Sequence, residues 1–131
     1  MARMGRPRVL LADDDPRVLQ VVSRYLDLEG FEMSTVEDGE SAVRVAAENP
    51  PDLIILDIMM PGIDGIEACR RIRANKSTAD TPVLMFSALS EEAEAAADAG
   101  ADGMLPKPFS LPSLAEAVKS FFAQRGIPQA S

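Results

Sequence analysis

Five side chains able to do chemistry together occupy the same kind of position in this sequence. Asp13 and Asp14 follow the apolar run RVLLA, Asp57 follows residues 53–56 of DLIILDIMMPGIDG, Ser87 follows residues 83–86, and Lys107 stands between two prolines just after residues 103–105. A carboxylate at the end of a run buried on both faces loses its hydration, a large cost unless a charge compensates it. Two like charges about 4 Å apart repel by roughly 4 kcal/mol at an effective dielectric near 20. Three converging carboxylates therefore do not all stay ionised without a cation. A hard divalent ion relieves that repulsion, and Mg²⁺ typically takes one or two carboxylates together with waters and phosphate oxygens. Lys107 supplies a second, movable positive charge. A nucleophilic aspartate, an acid pair for Mg²⁺, a hydroxyl and a lysine form a set suited to receiving a phosphoryl group. The aspartate forms an acyl phosphate, the cations neutralise the equatorial oxygens, and the hydroxyl donates to one of them.

The elements that must position this set alternate along the chain. The first strand, 8–12, leads to Asp15 as N-cap and Pro16 at the first helical position, and a helix with Val18, Val22, Tyr25 and Leu26 on one stripe runs to Gly30. A weaker strand, 31–36, passes through Asp38-Gly39 into a helix over 40–48 that buries Ala42, Val43, Ala46 and Ala47. The third strand is the run 53–56, bracketed by Pro50-Pro51 and Pro61-Gly62. Asp64 caps a helix carrying Ile66, Cys69 and Ile72. Residues 83–86 form a fourth buried strand, and Ser90 caps an alanine-rich helix over 91–99, with Glu91 and Glu92 complementing its dipole. A short fifth strand, 103–105, precedes Pro106-Lys107-Pro108. Ser110 then caps a last helix with Leu114, Val118, Phe121 and Phe122 inside, closed by Gly126. Five strand–helix repeats call for a parallel sheet with right-handed crossovers and helices on both faces. About 120 residues in five units fit the α/β, flavodoxin-like (βα)5 order 2-1-3-4-5, whose ligands bind at the carboxyl ends of the strands, where the order reverses between the first and third. Asp13, Asp14 and Asp57 come together there.

Composition narrows the alternatives. With 131 residues, 47% of them hydrophobic and 26% charged, the chain forms one globular domain. Histidine is absent and cysteine occurs once, so Ser-His and Cys-His catalytic pairs, His-ligated metals and internal disulfides are excluded. The net charge of −8 argues against direct nucleic-acid binding, and no apolar run reaches membrane-spanning length. An N-terminus with arginines but no apolar signal core points to the cytoplasm. Cys69 reads as a small buried hydrophobe, and Arg70, Arg71 and Arg73 as a solvated helix face.

The motifs LLADDDP, DLIILDIMMPGIDG, PVLMFSA and LPKPF, in this order and spacing, resemble the receiver domain of two-component response regulators, of the chemotaxis-regulator-like kind. The resemblance covers residues 8–125, leaving 1–7 as an N-terminal tail and 126–131 as a C-terminal tail or the start of a linker. It implies that Asp57 accepts a phosphoryl group from the phosphohistidine of a sensor histidine kinase or phosphotransfer protein, or from a small phosphodonor. It also implies that Asp14 binds Mg²⁺ directly, that Asp13 acts mainly through a metal-bound water, and that the Met59 carbonyl is a further ligand. Ser87 and Lys107 are then the phosphate-sensing pair, and the Lys107-Pro108 bond is expected to be cis. Such a domain is a signalling phosphoacceptor that catalyses only its own phosphorylation and dephosphorylation. Its downstream protein partner is expected at the fourth helix, fifth strand and fifth helix. One position departs from the family pattern: Met104 stands three residues before the lysine, where Tyr or Phe is common. Met59 and Leu89, at positions resembling the family's tuners of dephosphorylation, offer no side chain to orient a water. A haloacid-dehalogenase-type phosphohydrolase would need an acid where Met59 stands, and an FMN carrier's phosphate loop would be repelled by Asp13, Asp14 and Asp15.

Overall fold

A computed structural model describes residues 5–87 and 92–126. Its strands are β1 Arg8–Ala12, β2 Glu32–Val36, β3 Leu53–Asp57, β4 Val83–Ser87 and β5 Gly103–Pro106. The helices between and after them are α1 Pro16–Leu28, α2 Gly39–Glu48, α3 Gly65–Ala74, α4 Ala93–Asp98 and α5 Leu111–Gln124. All strands pair in parallel in the order β2-β1-β3-β4-β5, as the alternation of elements requires.

The sheet separates two cores. Leu10, Ala12, Ile54, Leu56, Val83 and Met85 face α2, α3 and α4, where Ala42, Ala46, Ala68, Cys69, Ile72 and Ala96 close over them. Val9, Leu11, Leu53, Ile55, Leu84 and Phe86 face α1 and α5, meeting Leu19, Val22, Leu26, Leu114, Val118 and Phe122. Strict alternation along strands buried on both faces explains why the sequence shows continuous apolar runs rather than a period of two. On α1 the buried stripe is Leu19, Val22 and Leu26, so it is centred one residue further on than the expected stripe, with Val18 and Tyr25 only partly covered at its margin. On α2, Ala42 and Ala46 are buried while Val43 lies at the edge of the core.

The helix starts follow the sequence closely. Asp15, Asp38, Asp64 and Ser110 each accept a backbone N–H of the first turn. Helix α4 differs. It occupies six residues rather than the expected 91–99, and Ser90, the anticipated cap, lies outside the described residues along with Glu91. Glu92 stands at its N-cap without capping it. The Lys107-Pro108 peptide bond is cis, as the resemblance implied.

Candidate functional site

The pairing of β1 with β3 runs from Val9 opposite Leu53 to Ala12 opposite Leu56. Continuing it by one residue sets Asp13 beside Asp57, both at the carboxyl edge of the sheet. β1 is buried from Val9 up to that edge, and Asp13 is as buried as the strand that delivers it. Its Oδ1 accepts the Asp15 N–H at 2.9 Å, fixing the turn into α1. Asp14, the next residue, is exposed. Asp57 ends β3 and is only 5% exposed. Carboxylate oxygens of Asp13, Asp14 and Asp57 all lie within 4.8 Å of one another.

Glycine makes the close packing behind Asp57 possible. Gly65, the first residue of α3, donates its N–H to Ile58 O at 2.9 Å. A Cβ there would fall 2.5 Å from the Asp57 carbonyl oxygen, so only glycine lets α3 start this near the strand end. Lys107 arrives from beyond β5. Its N–H donates to Ser87 O at 2.7 Å, tying the lysine backbone to the end of β4. Its Nζ then lies 3.2 Å from Asp57 Oδ2 and 3.5 Å from Asp13 Oδ2, and 5.8 Å from the centre of the Phe86 ring. Phe86 in turn stacks on Phe109 at 4.5 Å between centroids. The lysine is therefore held over an aromatic face with its charge aimed at two buried acids.

One ammonium group does not neutralise the cluster. Burial, and secondly the negative charge of Asp13, push the Asp57 carboxyl up to about 6, although Lys107 and the Met59 N–H act in the opposite direction. An all-oxygen donor set, short of positive charge and open to solvent on the Asp14 side, fits a hard divalent cation such as Mg²⁺.

The five residues singled out in the sequence thus come to one edge of the sheet. Ser87 ends β4 and is buried, and its hydroxyl donates to the Glu92 carboxylate. In sequence Glu92 is only a dipole partner in the first turn of a helix, and nothing there points to this contact. No periodicity marks an acceptor five residues after a strand end, so only the tertiary structure reveals it. Met59 carries its side chain outward, 64% exposed. Leu89 lies outside the described residues. Cys69 is buried as expected, its thiol raised by burial and set against Ala99 O at 3.4 Å.

Arg70 and Arg71 form exposed pairs with Glu67, but Arg73 is not part of a solvated face. It reaches across to Gly100 O at 3.1 Å and to the Asp102 carboxylate at 2.7 Å, and it also donates to Thr81 O. Spacing along one helix could not separate it from its neighbours, because its partners lie off the helix, in the loop that follows α3 and in the one before β5.

Comparison with known proteins agrees with this geometry. The profile of the response regulator receiver domain matches residues 9–119. The transcriptional regulatory protein PrrA of Mycobacterium tuberculosis is 46% identical over 122 residues, covering 92% of this chain and 52% of PrrA. The chain thus spans about half the length of the curated relatives it matches. A putative response regulator of Chloroflexus aurantiacus superposes with a TM-score of 0.85 at 34% identity, covering 90% of this chain and 98% of its own. The receiver domain of sensor histidine kinase PA1611 from Pseudomonas aeruginosa, with a magnesium ion coordinated in its active-site cleft, superposes at 0.84 with 30% identity, covering 91% and 99%. The chain belongs to the response regulator receiver domain family, the phosphoacceptor signalling modules of two-component systems.

Proposed function

We propose that Asp57 is the phosphoacceptor of this domain, with Asp13, Asp14 and the Met59 carbonyl holding Mg²⁺ and with Ser87 and Lys107 reading the phosphoryl group. The observation that carries this reading is the meeting of three carboxylates and one lysine at the end of β3, with Asp57 buried and the acid that lies nearer to Lys107. An ionised Asp57 Oδ attacks phosphorus in line while the bond to the leaving group breaks. That group is the imidazole nitrogen of a kinase or phosphotransfer-protein phosphohistidine, or the acetate oxygen of acetyl phosphate. Bound Mg²⁺ supplies positive charge to the phosphoryl oxygens. Lys107, already 3.2 Å from Asp57, stays beside the transferred group as a counter-charge. Phe86, under the lysine, limits how far it can swing.

In this reading the receiver unit is residues 8–125, acting in the cytoplasm and promoting only its own phosphorylation and dephosphorylation. Its output surface is α4, β5 and α5. Support for that surface comes from α4, which buries only Ala96 among its six residues and so is held weakly enough to shift.

Acetyl phosphate with Mg²⁺ should add one phosphoryl group, detected by intact mass. The adduct should be lost with EDTA and in Asp57→Asn. Equal phosphorylation of Asp57→Asn would overturn the assignment.

A further inference from the structure

We propose that Glu92 is a built-in competitor for the Ser87 hydroxyl, so that loading Asp57 requires Ser87 to exchange a carboxylate of its own chain for a phosphoryl oxygen. This rests on the reading of Asp57 as phosphoacceptor. A serine hydroxyl carries one proton to donate. In this structure Ser87 donates it to Glu92 Oε1, an acceptor that makes the bond charge-assisted. The Asp57–Phe86 pairing places Ser87 one residue beyond Asp57 on the adjacent strand, at the same edge of the sheet. A phosphoryl group on Asp57 and the Glu92 carboxylate therefore compete for a single donor.

The contact also has mechanical consequences. Glu92 gives α4 no side-chain cap and directs its carboxylate to the end of β4 instead. At the other end of the helix, Cys69 Sγ lies 3.4 Å from Ala99 O and Arg73 Nε donates to Gly100 O at 3.1 Å. Loss of the Ser87–Glu92 bond loosens the N-terminal end of α4 while its C-terminal end remains tied to α3. The helix then pivots rather than detaching. Glu92 is a positioning residue here: it touches no reacting atom and sets how readily Ser87 is available.

Beryllofluoride with Mg²⁺, followed by NMR titration, measures the competition directly. Glu92→Ala should bind the mimic about tenfold more tightly than wild type, the expected scale for losing a charge-assisted competitor. In a Ser87→Ala background the same substitution should change affinity by less than about twofold, because no hydroxyl remains to compete for. Unchanged affinity in Glu92→Ala, or equal tightening in the Ser87→Ala background, would overturn the proposal, the second outcome showing a general charge effect. Failure of wild type to bind the mimic, or equal binding by Asp57→Asn, would instead reject Asp57 as acceptor. Glu92 is not part of the core, and a far-UV spectrum of each variant confirms that it is folded.

Discussion

Asp57 illustrates how position changes the proton affinity of an ordinary carboxylate. Its folded value of about 6 lies above the 3.8 of the unfolded chain, so the native state binds the extra proton across that interval. The associated stability is fully present below about pH 4 and is lost as pH rises through 6. Asp57→Asn, which cannot ionise, should therefore stabilise the metal-free protein at pH 7.5 by about 1–2 kcal/mol, a discounted share of the two-unit displacement. The gain should vanish near pH 4, as judged by urea unfolding in EDTA. The same proton competes with Mg²⁺, so calorimetric Mg²⁺ affinity should fall steeply below pH 6. Asp13 calls for a different substitution. Because its Oδ1 accepts the Asp15 N–H, Ala would break a turn as well as remove a charge. Asp13→Asn keeps an acceptor and should raise metal-free stability while weakening Mg²⁺ less than Asp14→Asn does.

At the scale of elements, two contacts set where helices stand. Gly65 allows α3 to begin against the backbone of Asp57, and Gly65→Ala would bring a methyl within 2.5 Å of a carbonyl oxygen that has little room to yield. Overpacking of this kind costs about 1–3 kcal/mol, and it should also displace the acid and weaken Mg²⁺ binding. Arg73 binds α3 to the loops before β4 and β5, and Asp102 joins it to the Val83 N–H at 2.8 Å and to Arg125 near the end of α5. Arg73→Ala should lower stability by about 2–3 kcal/mol in chemical denaturation, since it leaves Asp102 and three carbonyl groups with fewer partners. Arg70→Ala and Arg71→Ala, which lose only exposed pairs, should stay within about 0.5 kcal/mol. Because Arg73 sits at the opposite pole of the sheet from Asp57, phosphorylation of the folded Arg73→Ala protein should be unimpaired.

Across the whole molecule, the site and the proposed output face are linked through β4, α4 and β5. Hydrogen exchange with and without beryllofluoride should change most over α4, β5 and α5, and change confined to α1 and α2 would place the output elsewhere. Met104 lies in this path, paired with Met85 across the sheet and packed, partly buried, against the core beneath α4. A shallow hollow lined by Ala93, Ala96 and Ala97 adjoins it. An unbranched thioether fills such a space in many rotamers and has no phenol to hold an outward position in water. Activation should therefore be graded, with Met104 inward in both states. Met104→Tyr should phosphorylate normally yet change affinity for a downstream partner, which binding measurements on the phosphorylated variant would show.

The order of the strands, the caps supplied by Asp15, Asp64 and Ser110, and the gathering of Asp13, Asp14, Asp57, Ser87 and Lys107 were determined by sequence alone. Each depends on local chemistry or on the rule that parallel strands deliver their carboxyl ends to one edge. What the tertiary structure decided depends on how whole elements and loops are packed against one another. Leu19 rather than Val18 is covered on α1 because the facing sheet, not the helix period alone, selects which residue is buried. Arg73 leaves the company of Arg70 and Arg71 because the Thr81, Gly100 and Asp102 oxygens converge on it from two loops. Glu92 stands only five positions after Ser87, but the way α4 sits against the sheet, not that spacing, turns its carboxylate to the hydroxyl instead of to the first turn of its own helix.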